Sequence, residues 1–119
     1  MRLARVPLAL FAASLLATPV IAQDTPRLSL EQQTSVRCSA AFAIVAGIQS
    51  QGGANEYPPL AERGREYFVR SAARLIDETG IDRAGITALM QAEAEALSDP
   101  ERLEAALPAC LLLLDASGL

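Results

Sequence analysis

The sequence predicts an all-α fold: a small antiparallel bundle of four helices, the last kinked or broken at Pro108, stapled by one disulfide between the first and last helices. Three observations predict it. Capping residues, glycines and prolines recur at helix-length intervals, apolar residues return with helical period, and no stretch alternates as a half-buried strand would. The only two cysteines, Cys38 and Cys110, fall in the first and last of the helical stretches.

Residues 1–22 are expected to be a secretory signal peptide and residues 23–119 a single helical domain. Arg2 and Arg5 form a basic start, Val6 to Leu16 an apolar middle, and Val20-Ile21-Ala22 a small-residue cleavage site. The arginines are not adjacent, so this is not a twin-arginine signal. No cysteine follows the cleavage site to carry a lipid. The apolar run is too short for a retained anchor, so no stable membrane insertion is expected after cleavage.

The first helix should start near Leu30, behind Ser29-Leu30-Glu31-Gln32, whose S-x-x-Q form is a capping box. It should end near Gln51, before Gly52-Gly53. Its middle, CSAAFAIVAGI, is apolar on nearly every face, the mark of a helix buried on more than one side. Pro58-Pro59 are placed to open the second helix. There Leu60, Gly64, Tyr67, Phe68, Ala72, Leu75 and Ile76 form an apolar stripe, opposite a charged face of Glu62, Glu66, Arg70, Arg74, Asp77 and Glu78. Gly80 should end it as a C-cap. Gly64 costs about 1 kcal/mol mid-helix, which implies close packing against a neighbour. Asp82 can cap a third helix over Arg83 to Leu97. Ser98 can cap the fourth, with Glu101 completing a second capping box. From there Leu103, Leu107, Cys110, Leu111 and Leu114 hold one register straight through Pro108, which favours a single helix with the proline facing outward.

Cys38 and Cys110 both sit on apolar stripes, so a bridge between them would clip the first and last helices through the core. In an oxidising compartment an even cysteine count most simply means such a bridge. All 10 basic residues are arginine; two fall in the leader, leaving eight against 14 acids and a net charge of −6. An acidic chain has no basic face for nucleic acid, so no nucleic-acid partner is expected. Arginine to the exclusion of lysine, with abundant alanine, is the composition of a GC-rich bacterial genome.

The chain contains no histidine and no lysine. That removes histidine triads, the usual zinc ligand sets, c-type haem attachment and Schiff-base chemistry. There is no phosphate-binding glycine motif, and DETGIDRAGI fails the calcium-loop spacing. No catalytic residue, metal site or cofactor is therefore expected. Carboxylates remain. Glu62 and Glu66 share a solvated face, whereas Glu93 projects from a stripe of Ile86, Leu89, Met90, Ala96 and Leu97. A carboxylate buried there needs a partner, and Arg37 is the first candidate for a buried ion pair, with Arg102 the second. Tyr57, between Gly52-Gly53 and Pro58-Pro59, is the aromatic best placed to rim a pocket between the first two helices. Leu112 and Leu113 point off the core stripe of the last helix. They mark either a helix buried on two sides or an interface.

By subtraction, the sequence points to an exported periplasmic, non-enzymatic binding or interaction module for another protein or a small apolar ligand, with oligomerisation left open. Two alternatives stand beside it: an acid- or stress-type periplasmic chaperone, and a hydrolase working with carboxylates alone. In plan (small, exported, helical, with one long-range disulfide) the chain is similar to the acid-activated periplasmic chaperones of enteric bacteria. It departs from them in having no lysine.

Overall fold

A computed structural model describes residues 27–119; the leader expected over residues 1–22 lies outside them. Four helices follow in order: α1 (Leu30–Ser50), α2 (Ala61–Thr79), α3 (Arg83–Ala96) and α4 (Pro100–Ala116). No strand occurs among the described residues. None of their helices is long and apolar enough to cross a membrane.

Local chemistry sets the ends. The Ser29 hydroxyl accepts from the Gln32 backbone N–H at 3.1 Å while the Gln32 side chain accepts from the Ser29 N–H at 2.8 Å, a closed capping box. Asp82 accepts from the Gly85 N–H at 2.9 Å and starts α3. Gly80 caps α2 at φ 72°, a left-handed conformation that a side chain would strain. Two starts differ from expectation. Pro58-Pro59 lie two residues ahead of α2, whose cap is Leu60 and has no capping side chain. Gln49 takes that role from α1. Its side-chain oxygen accepts from the Leu60 N–H at 3.1 Å, and its amide donates to the Pro58 carbonyl at 2.9 Å. The cap of α4 is Asp99, not Ser98: Asp99 accepts from the Glu101 N–H at 3.0 Å, and the Ser98 hydroxyl turns back to the Glu95 carbonyl. Asp99 wins because Pro100 then occupies the first helical position, where its missing N–H costs nothing. α4 runs unbroken through Pro108, whose side faces solvent.

α1 is the hub. It packs against α2, α3 and α4, and α2 also meets α4. This explains the nearly featureless apolar surface of α1, which must present a face to each neighbour. The larger core gathers Phe42, Val45, Leu60, Tyr67, Leu97, Leu107 and Leu114 around the cysteines. A smaller one holds Val36, Leu75, Ile81 and Ile86 where α1, α2 and α3 converge. Cys38 and Cys110 are bonded, with Cα atoms 5.1 Å apart, and are 0% and 2% exposed. Of the apolar stripe on α2, Ile76 lies outside the core, 40% exposed, because α3 leaves from Gly80 before it can cover that side.

Gly64 lies where α2 comes closest to α1. A Cβ there would sit 2.8 Å from the Phe42 Cβ. That atom is fixed to the α1 backbone, so the two helices would have to part. Gly64→Ala should therefore lose about 1 kcal/mol or more, overpacking outweighing the roughly 1 kcal/mol gain in helix propensity. A raised melting temperature for this variant would contradict the close approach.

Candidate functional site

The charged residues singled out from the sequence form a surface pair. Arg37 Nε and a Glu93 carboxylate oxygen are 3.4 Å apart, but the side chains are 51% and 24% exposed. The expectation of a buried pair is thus corrected. Glu93 lies at a depression lined by Arg27 and Leu28 ahead of α1, Gln33 and Val36 of α1, and Leu89 and Ala92 of α3, so it reaches solvent there. Arg102 pairs instead, loosely at 3.9 Å, with Asp99. Exposed pairs contribute about 0–1 kcal/mol. Glu93→Gln should shift the melting temperature by no more than a few degrees; a larger loss would require Glu93 to be buried. Among the described residues Glu93 is the one acid lining its depression, whereas two-carboxylate hydrolysis needs two across one cleft. Among the described residues no three acids or cysteines come together to hold a metal ion.

Tyr57 is partly buried and lines a small depression of about 270 Å³ with Ile48 of α1 and Pro100, Leu103 and Leu107 of α4. It therefore rims a space between α1 and α4, not between the first two helices, because its loop folds back over the start of α4. Leu112 and Leu113 part company. Leu112 is 71% exposed and points outward; Leu113, 41% exposed, lines a groove. Since α4 packs on α1 and only lightly on α2, it is not a central helix buried on two sides.

The groove lined by Leu113 is the most chemically varied concavity of the molecule. It runs between the start of α1, the middle of α2 and the end of α4, with a volume of about 630 Å³. α1 contributes Leu30, Glu31, Thr34 and Ser35; α4 contributes Leu113 and Ala116, with Ser117 and Leu119 following it. α2 presents Tyr67, Arg70, Ser71 and Arg74, a spacing of i, i+3, i+4 and i+7 that places all four on one helical face. The Thr34 and Ser117 hydroxyls are committed to the Leu30 and Leu114 carbonyls.

Tyr67 is divided between core and groove. The residue is 8% exposed and its ring meets Phe42 edge-on with centroids 5.2 Å apart. Its hydroxyl makes no hydrogen bond to the described residues. None of their buried side-chain oxygens is sealed from water without a partner, and Tyr67 is one of the residues lining the groove. The guanidiniums beside it are loosely held. Arg74 lies 3.6 Å from Glu31 and Arg70 3.8 Å from Glu66, with all four side chains more than half exposed. Those separations exceed hydrogen-bonding range. By contrast Arg63 is anchored, donating to Asp115 at 2.7 Å and to the Leu119 backbone oxygen at 2.9 Å, and so pins the end of α4 to α2.

Sequence reasoning assigned Tyr67 to the core and Arg70 and Arg74 to a solvated face, and missed that they converge. The i, i+3, i+7 spacing was the available signal. What hid it was the position of α4, which turns that face into one wall of a groove.

A second concavity, of about 510 Å³ between α1 and α3, is lined by Ala40, Ala43, Ile44, Phe68, Met90 and Ala94, with Ser39, Thr87 and Gln91 as its polar members. It offers apolar area but no charge. Set against protein-family models, curated proteins and solved structures, the chain finds no match in any of the three.

Proposed function

We propose that the chain is an exported, non-enzymatic binding module of the bacterial periplasm that takes a small molecule with an apolar part in the α1–α2–α4 groove. One observation carries this reading. Leu30 and Leu113, 80% and 41% exposed, line one groove beside a tyrosine whose ring is core and whose hydroxyl has no partner among the described residues. Large apolar side chains left in water together with convergent polar groups are the composition of a ligand site. A volume of about 630 Å³ suits a small molecule, not a folded domain. The disulfide and the basic-then-apolar start of the chain are what export to an oxidising compartment would require.

The test uses protein expressed with export and purified oxidised. Its intact mass should correspond to residues 23–119, and the full-length mass would remove the export step. The neutral apolar dye Nile red should brighten on the native protein at neutral pH, and Leu113→Ser should suppress most of that signal. No brightening, or brightening indifferent to Leu113→Ser, would sink the groove as the site. Brightening only after acidification would favour the acid-activated chaperone instead.

A further inference from the structure

We propose that the groove between α1, α2 and α4 binds a free single-chain fatty acid, its carboxylate held by Arg70, Arg74 and the Tyr67 hydroxyl and its chain laid along Leu30 and Leu113. This rests on the binding-module reading and names the ligand class for that site. Three observations support it independently of the apolar lining. Tyr67, a residue only 8% exposed, lines the groove, and its hydroxyl has no acceptor among the described residues. A donor held rigidly by the core beneath it is prepared for an acceptor that arrives from outside. Next, the groove is lined by two arginines, Arg70 and Arg74, and one acid, Glu31, while Glu66, the acid nearest Arg70, is not among its lining residues. Finally, both guanidiniums stand at 3.6 and 3.8 Å from their acids and make no hydrogen bond to them. Their planar forks remain available for a carboxylate, with which arginine forms paired, charge-assisted hydrogen bonds.

The geometry also orients the ligand. Tyr67, Arg70 and Arg74 stand on α2, while Leu30 lies on α1 and Leu113 on α4. The anionic head therefore belongs on the α2 wall and the chain on the opposite side, where it covers the two exposed leucines. A neutral chain of the same length would gain the apolar contact alone.

The experiment is isothermal titration of the exported, oxidised and delipidated protein with laurate and, separately, with dodecanol. Laurate should bind about tenfold more tightly than dodecanol. The double substitution Arg70→Gln and Arg74→Gln should abolish that advantage, leaving dodecanol unchanged. Tyr67→Phe, which keeps the ring in the core, should weaken laurate by roughly three- to tenfold and leave dodecanol alone. Equal affinity for the two ligands overturns head-group recognition while the groove survives. Binding of neither overturns both readings. Laurate binding indifferent to Leu113→Ser overturns the placement of the chain. Sedimentation with phosphatidylglycerol vesicles in the absence of laurate binding overturns the free acid in favour of a lipid surface.

Discussion

Reducing the Cys38–Cys110 bond, or replacing both cysteines with alanine, is expected to lower the stability of the protein by about 4 kcal/mol. The bond joins residues 72 apart, so it closes most of the domain into one loop and removes a large part of the unfolded chain's freedom. A chain of this size has a total stability of roughly 5–15 kcal/mol, so the loss would bring it near the edge of folding. Urea denaturation with and without reductant measures the difference. Coincident transitions would mean that the reduced chain keeps α1 and α4 together by packing alone. The alanine pair also leaves space beside Phe42 and Leu107 in the core, so its loss should equal or exceed that of reduction.

Phe42→Ala should cost about 3–5 kcal/mol. Phe42 is 0% exposed, meets Tyr67 edge-on, and its Cβ is the atom that comes closest to Gly64. One side chain thus sets the spacing of α1 and α2 and holds the ring of a residue that lines the groove. The thermal midpoint should fall by roughly 12–40 °C, at 4–8 °C per kcal/mol for a domain of this size. Phe42→Leu should recover much of that loss, since volume matters more than the ring there. A drop of only a few degrees for the alanine variant would mean that the core collapses around the vacancy.

Much of the fold was legible because its signals are local. The Ser29–Gln32 box, Asp82 and Gly80 each set a helix end through contacts within a few residues. Gly64 announced a close approach by breaking a propensity rule. The α4 cap was displaced by one residue because Ser98 and Asp99 can both serve, and only the geometry of Pro100 decides between them. The arrangement of helices was less legible. Periodicity shows that a face is apolar, not how many neighbours share it. Glu93 was therefore expected inside, on a stripe that the structure covers from one side only. The groove escaped for the same reason: Arg70 and Arg74 acquire their setting from α4, which lies far along the chain from them.

Arranging three helices around one has a consequence for how the domain opens. α2 is held by α1 and by Arg63 across to α4, and α4 is held by the disulfide. α3 packs chiefly on α1, touches α2 through the smaller core, and has no disulfide. It is therefore expected to open before the others, which amide hydrogen exchange would show as faster exchange in α3 than in α1. Such an opening uncovers Val36 and the α1 wall of the neutral concavity, yet leaves the groove on the far side of α1 whole. The α3 flank would then open first, and the arginine-lined groove lies on the other flank of α1.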